Sequence, residues 1–333
     1  MAGRIFHIVD PATILNNDQI ADEEITFTQL IEATADAFGL LEWAARRKLV
    51  KNSVTCATCN APASLNRYAQ GTDGFRWRCN AHNFTLSVRS NSFFARSKLP
   101  LRKLLKFMYM WCADFPQDEM MYELGMGQEC RSTVIDWSNF MRDVCQEYLD
   151  RNPQEIGGFD ENGEQLVVEI DESLFFHRKY HRGEPRGGGH WVFGGIERQS
   201  GKCFMVEVPD RTRATLEPII QEFILPGSHI MSDGWAAYGN IPQIGGGIYT
   251  HDVIVHERNF VDPDDPNVHT QNIENTWMRA KRKIKRQFDF TQDGMMFELG
   301  MVQLQECRST IINWPSVMRD VCQEYLDRID PQE

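Results

Sequence analysis

Apolar residues recur at helical spacing over residues 26–50 (TFTQLIEATADAFGLLEWAARRKLV), which predicts one or two short helices. The pattern then changes. Residues 54–95 alternate short β-prone runs with turn residues. Residues 99–113 (LPLRKLLKFMYMWCA) return to helical spacing, with Pro100 near the start where its missing N–H costs nothing. Residues 117–150 predict two more helices, broken near Gly125–Gly127.

Composition shifts at Pro153. The run LVVEID, 166–171, predicts a strand ending at Asp171 and leading into the polar, Gly-rich KYHRGEPRGGGH. WVFGGIER and CFMVEVP predict a hairpin joined at QSG. RATLEPIIQEFIL predicts an amphipathic helix, HIMSD a short strand closed by an acid, residues 248–256 a further strand, and residues 272–288 a strong helix. The order βββ-α-β-α, with β and α following, predicts an α/β domain around a mixed sheet.

Residues 117–151 (QDEMMYELGMGQECRSTVIDWSNFMRDVCQEYLDR) recur, with a two-residue insertion, at 292–328 (QDGMMFELGMVQLQECRSTIINWPSVMRDVCQEYLDR). Repeat architectures come in arrays of three or more diverged units. One distant, nearly identical copy reads instead as a recent duplication or a joining error in the gene. The copy places Pro315 where the first has Ser138, in mid-helix, which predicts a kink or break there.

The chain has 333 residues and a hydrophobic fraction of 42%, enough for a buried core and against wholesale disorder. The start, MAGRIFHIVDPATIL, lacks the basic segment and apolar run of a secretory signal. No stretch reaches the ~18 apolar residues of a membrane span. A soluble intracellular protein with no membrane partner is expected. The net charge of −12 argues against a polyanion partner, but its distribution argues for one. From Arg46 to Lys106 there are 13 Lys/Arg and a single acid, Asp73, and six of the eight residues Arg279–Arg286 are basic. Local field, not total charge, decides how a chain meets a phosphate backbone.

Nine cysteines in a reducing compartment point to metal where they cluster and to small core residues where they scatter. Cys56-x-x-Cys59 followed about twenty residues later by Cys79-x-x-His82 offers two ligand pairs on short loops, the set a structural Zn²⁺ takes tetrahedrally. The bland alternative is four unrelated turn residues. The expected zinc ribbon carries a basic face of Arg67, Arg76, Arg78 and Arg89, with Phe75 and Trp77 packing its interior. Beyond it, segments 101–113, 117–125 and 129–148 have the lengths of a helix-turn-helix unit, with Arg131, Ser132 and Thr133 near the start of the third helix. The segment is acidic, so a packing or dimerisation element is an equal alternative.

Three acids stand apart. Asp171 and Asp233 each close an apolar strand, and Glu274 opens the basic helix TWMRAKRKIKR. Two strand-end acids can converge at one sheet edge and a helix acid can join them. Three such carboxylates suit a pair of Mg²⁺ (or Mn²⁺) ions about 3.5–4 Å apart, because hard cations prefer oxygen. Each acid also has a plain reading: Asp171 as a turn cap, Asp233-Gly234 as a turn, Glu274 as a first-turn residue favoured by the helix dipole.

The ordered runs VVEIDESLFFHRKYHRG, WVFGGIER, PGSHIMSDGWAAY, VIVHERNFVDP and HTQNIENTWMRAKRKIKR resemble the catalytic core of Merlin-type transposases and their bacterial insertion-sequence relatives. CATCN…RCNAH followed by FFARSKLPLRKLLKFMY resembles the zinc ribbon and helix that precede that core. The resemblance covers roughly residues 40–288. It implies a ribonuclease H-like fold and an Asp-Asp-Glu triad of Asp171, Asp233 and Glu274, with Asn272 and His256 in supporting roles. It also implies metal-dependent cleavage at element ends and strand transfer into target DNA. Two features depart from the family: His82 stands where a Cys is common, and the chain after Gln287 is the duplicated acidic segment.

The expected domains are an N-terminal helical segment 1–52, a zinc ribbon 53–98, a helix-turn-helix-like segment 99–152, a catalytic domain 160–290 and the duplicate 291–333. Lys179, Arg182 and Arg186 are expected to hold phosphates near the metals. Lys281, Arg282, Lys283, Lys285 and Arg286 are expected to clamp the DNA backbone. That last run also reads as a solvated helix face or a nuclear localisation signal. Expected partners are the terminal inverted repeats and target DNA, held by at least a dimer, in the nucleus of a eukaryote or the cytoplasm of a bacterium. The rival expectation is a domesticated or decayed DNA-binding relative without chemistry.

Overall fold

The computed structural model describes residues 4–21, 23–151, 155–175, 190–254 and 269–285. Lys179, Arg182, Arg186, His256, Arg286 and the C-terminal duplicate lie outside these residues. The described chain divides into two compact units, one up to Val144 and one from Cys145. No described helix is long and apolar enough to cross a membrane.

The first unit opens with three short helices, α1 (Asn17–Ala21), α2 (Phe27–Ala33) and α3 (Ala37–Arg46). Local chemistry sets their starts. Thr26 and Gln29 form a reciprocal capping box on α2, and Asp36 accepts from the amides of Phe38 and Gly39 on α3. A small antiparallel sheet follows, β1 (Ser64–Arg67), β2 (Phe75–Arg78) and β3 (Thr85–Ser87), in the order β1-β2-β3. Trp77 is fully buried within it, as the sequence reading expected. Then come α4 (Leu101–Cys112), α5 (Gln117–Glu123) and α6 (Arg131–Arg151), with Gly125 at positive φ between α5 and α6. Arg131 pairs with Asp118 across that turn at 2.8 Å.

One expectation for this unit is overturned. Arg89 is not on a basic face: it is 3% exposed and forms a two-pronged ion pair with Asp73. Asp73 also accepts the amide of Leu101 at 2.9 Å, so this buried pair ties the small sheet to the start of α4. Arg67 and Arg78 remain exposed, and Arg76 lies 4.1 Å over the ring of Tyr68.

The second unit is a mixed sheet flanked by helices. Its elements are β4 (Ile156–Gly157), β5 (Val167–Phe175), β6 (His190–Glu197), β7 (Cys203–Val208), α7 (Arg213–Phe223), β8 (Ile224–Leu225), β9 (His229–Asp233), a 3-10 segment (Ala236–Gly246), β10 (Thr250–Ile254) and α8 (Gln271–Lys285). The main sheet runs β10-β9-β5-β6-β7. β5, β6 and β7 are antiparallel neighbours, whereas β5, β9 and β10 are parallel. Strand alternation sorts β5 into two faces. Val168 and Ile170 join Phe193, Phe204, Leu216, Ile220 and Tyr238 in one core. Phe175 joins Val192, Met205, Ile273, Trp277 and Ala280 in another, beneath α8.

β5 does not stop at Asp171. It continues to Phe175, paired with β6 throughout. The polar residues after Asp171 looked like a turn, but Ser173 is buried and Glu172 half-buried within the strand.

Candidate active site

Asp171 sits in the middle of β5, and Asp233 is the last residue of β9. The parallel register Val167↔His229, Val168↔Ile230, Glu169↔Met231, carried two residues further, sets Asp171 beside Asp233. Adjacent strands lie about 4.8 Å apart, so two carboxylates at the same level on neighbouring strands feel each other directly. The Asp171 carboxyl is pushed up to about 7. Burial is the main cause, helped by the charges of Glu172 and Asp233 and opposed by hydrogen bonds from the Glu172 backbone and Trp277.

Glu274 lies in the first turn of α8, as its sequence position implied. One turn on, Trp277 donates its indole N–H to Asp171 Oδ2 at 3.0 Å. Residues three apart share a helix face, so the helix that anchors on Asp171 presents Glu274 beside that anchor. Glu274, Trp277, Met278, Lys281 and Arg282 line a surface cleft of about 460 Å³. Lys281 and Arg282 therefore belong to the same helix face as Glu274. Lys283 and Lys285 lie on α8, but their side chains are outside the described set. Gly194, opposite Asp171 in the β5–β6 register, makes room for the indole: a Cβ there would come 2.7 Å from the Trp277 ring and 2.8 Å from the Phe204 carbonyl.

A further acid of the same strand, Glu172, was not singled out from the sequence. Glu172 points to the opposite face of β5, toward Tyr238. Burial raises its carboxyl and Asp233 adds to the rise, while Tyr238 and Arg211 work against it. Glu172 Oε1 and the Tyr238 hydroxyl are both buried, and neither completes a hydrogen bond of good geometry among the described residues. Burial, then Glu172 and Asp171, hold the Tyr238 phenol well above its ordinary range, so it stays neutral. The adjacent pair Asp171-Glu172 within an otherwise apolar strand was the available signal.

The position of α8 is fixed by another acid of β5. Glu169 is fully buried two residues before Asp171. Its Oε2 accepts the amides of Asn272 (2.8 Å) and Ile273 (3.0 Å), and its Oε1 accepts Asn272 Nδ2 (2.8 Å) and Arg198 Nε (2.6 Å). Arg198 also donates to the His269 carbonyl. The first amides of a helix have no partners within it, and a carboxylate there also meets the positive end of the dipole. Glu169 thus supplies from the strand what a capping side chain would supply locally. Asn272 acts at this junction, between the strand of Asp171 and the helix of Glu274.

In the first unit, Cys56, Cys59, Cys79 and His82 converge, with all ligand atoms within 4.8 Å of one another. Cys59 Sγ to Cys79 Sγ is 3.9 Å, Cys79 Sγ to His82 Nδ1 is 3.8 Å and Cys56 Sγ to His82 Nδ1 is 4.0 Å. Burial opposes ionisation of Cys56, but the amides of Thr58 and Cys59 and the neighbouring thiols outweigh it and lower its thiol to about 6. The Cys59 thiol is raised instead: its bond from Ala61 favours the thiolate, but burial and the other two cysteines prevail.

The chain is 25% identical over 266 residues to male abnormal protein mab-31 of Caenorhabditis elegans, covering 74% of this chain and 61% of that protein's length. Among solved structures it is similar to the catalytic core domain of BIV integrase, with a TM-score of 0.28 and 14% identity over 41% of this chain and 82% of that one. It is also similar to a chain of the simian T-cell lymphotropic virus intasome, with a TM-score of 0.27 and 11% identity over 41% and 48%. Residues 164–295, which hold Asp171, Asp233 and Glu274, match the ISXO2-like transposase domain, so the chain carries a domain of the transposase kind that its motifs resemble.

Proposed function

We propose that the second unit is a metal-dependent DNA-cutting and DNA-joining domain of ribonuclease H-like architecture, acting through Asp171, Asp233 and Glu274. The observation that carries this reading is Asp171 itself. It is a buried carboxyl pushed to about 7 by burial and neighbouring acids, with an indole N–H as its side-chain partner. The charge of Asp233 raises the Asp171 carboxyl, and such repulsion between neighbouring acids suits a divalent cation, whose charge would offset it. The donor set is all oxygen and so fits Mg²⁺ or Mn²⁺. When bound, such ions supply Lewis acidity at the phosphate and activate the attacking oxygen.

The chain's own residues do the rest. Asp171 and Asp233 hold the metal edge of the sheet, and Glu274 closes it from α8. Trp277 orients Asp171 and excludes water behind it. Lys281 and Arg282, on the cleft beside Glu274, attract the phosphate backbone, with Lys179, Arg182, Arg186, Lys283, Lys285 and Arg286 extending that attraction. Cys56, Cys59, Cys79 and His82 hold a structural Zn²⁺. Their 3.8–4.0 Å separations fit the roughly 3.8 Å expected between ligands 2.3 Å from a tetrahedral zinc. The reaction is cleavage at element ends and transfer into target DNA by at least a dimer.

The test is Mg²⁺- or Mn²⁺-dependent cleavage and joining of terminal-repeat DNA, wild type against Asp171→Asn and Asp233→Ala. Both variants should lose joining and keep DNA binding. A second reading, a non-catalytic DNA-binding relative, is favoured by the departure after Gln287, where the duplicated acidic segment stands in place of the family's usual ending. Wild-type protein that binds ends and never cuts them would support it.

A further inference from the structure

Beside the carboxylates lies a stack of three side chains that the reaction above does not use. Trp191 is the second residue of β6, Arg211 lies between β7 and α7, and Trp235 follows Asp233 by two residues. The Arg211 guanidinium carbon is 3.9 Å from the centre of the Trp191 ring and 4.5 Å from that of Trp235. The Trp235 indole N–H donates to the Arg211 carbonyl at 3.2 Å, and its amide donates to Asp233 Oδ1 at 2.9 Å. The stack is thereby tied to an acid of the site. Arg211 is close enough to Glu172 to favour that acid's ionised form.

We propose that this stack binds an unstacked nucleotide flanking the reacting phosphate. The edge of Arg211 takes its phosphate and the exposed indole of Trp235 takes its base. The proposal rests on the DNA-processing reading of the carboxylates. Two indoles cover the guanidinium, which leaves its in-plane N–H donors as the part that can bind. Among the described residues those donors form no ion pair or hydrogen bond. A planar fork of donors matches phosphate oxygens, and stacking holds it in one orientation before the ligand arrives.

Trp235 is 41% exposed, an unusual place for an indole, and no other described ring covers it. An aromatic face in water beside a phosphate-binding arginine is the combination that holds single-stranded nucleic acid. The ligand is a base released from its duplex neighbours, because a base inside a duplex has both faces occupied. The positive charge also has a local use: it draws a phosphate toward a cluster of acids that would otherwise repel it.

The experiment uses the full chain in Ca²⁺ and two labelled probes, a blunt DNA duplex and the same duplex with a few unpaired nucleotides at one end. Binding is read by fluorescence anisotropy, and Mg²⁺-dependent cleavage is measured in parallel. Wild type should prefer the frayed probe. Trp235→Ala should weaken frayed-probe binding by about fivefold or more, with little change on the blunt duplex, and Trp235→Phe should restore it. Arg211→Lys should weaken binding too, because an ammonium cannot stack flat between two rings. Equal preference in wild type and Trp235→Ala, or wild-type affinity in Arg211→Lys, would overturn the proposal. Absence of cleavage in the wild type would instead sink the catalytic reading and leave the binding result to decide this one.

Discussion

The indole N–H of Trp277 meets the carboxylate of Asp171 at 3.0 Å, and this contact joins α8 to the strand at the level of the acids. The indole fits there because residue 194 is glycine and because Phe175 packs edge-on against the ring at 5.9 Å. Hydrogen bonds to groups that orient a metal ligand commonly change affinity or activity 10–100-fold. Trp277→Phe keeps the ring and removes the donor. It should fold normally and weaken Mg²⁺ binding by about tenfold, measured by isothermal titration. Gly194→Ala tests the packing, since its Cβ would collide with backbone as well as ring; a large fall in melting temperature is expected.

Asp171 also makes stability depend on pH. Its folded-state carboxyl titrates at about 7, above the roughly 3.9 of an unfolded chain. The stability associated with its protonated form is complete below pH about 4 and is lost as pH rises through about 7. Asp171→Asn removes this penalty. In metal-free buffer at pH 8 the variant should be more stable than wild type by on the order of 2–4 kcal/mol, and the gap should close toward pH 4. Added Mg²⁺ should raise the wild-type melting temperature at pH 8 and have little effect at pH 5, where the proton holds the site. Melts across this range with the two proteins in parallel would contradict the assignment.

Glu169 predicts a different signature, because it touches neither substrate nor metal. Removing one partner of a buried ion pair leaves a charge with no counter-charge and typically costs about 3–5 kcal/mol. Glu169→Ala should be destabilised on that scale, since Arg198 and the first amides of α8 all lose their acceptor. Glu169→Gln retains one oxygen for those amides. It should fold, bind DNA with near wild-type affinity and lose turnover, with a higher Mg²⁺ requirement, as Glu274 shifts relative to Asp171. Unchanged metal dependence in a folded Glu169→Gln protein would reduce Glu169 to a packing role.

The acids at element ends were legible because chemistry and periodicity coincide there. Asp233 closes β9 and Glu274 opens α8 where the apolar pattern stops or begins. Ile273, Trp277 and Ala280 repeat at helical spacing and are all buried, so the inward face of α8 followed from its sequence. Inside β5 the same reasoning failed. Glu172 and Ser173 interrupt the apolar run, which reads as a turn, yet the strand continues to Phe175, with Glu172 on the face opposite Asp171. Glu169 was missed because its partners lie 29 to 104 residues away, at Arg198, Asn272 and Ile273. The burial of Arg89 likewise depends on Asp73, on a turn that composition marks only as basic surroundings. Local pattern places a residue on an element; it does not name the distant charge that will meet it.

The cysteine cluster gives the last prediction. A sheet of three strands, each of three or four residues, has little apolar area of its own beyond Trp77 and its neighbours. Sheets this small depend on a cross-link or a metal for independent order. With Cys56 lowered to about 6, one thiolate is already present at neutral pH, whereas the raised Cys59 must give up its proton to a metal. Zinc binding should therefore release protons and weaken as pH falls toward 6. Substituting Co²⁺ should give the visible absorption of a tetrahedral thiolate site, and Cys59→Ser should reduce it. Chelation should unfold the small sheet and loosen the start of α4, which depends on it through Asp73 and Arg89. Amide exchange would report this as lost protection at Trp77 and Leu101. Protection that survives both chelation and Cys59→Ser would show that the sheet stands without metal.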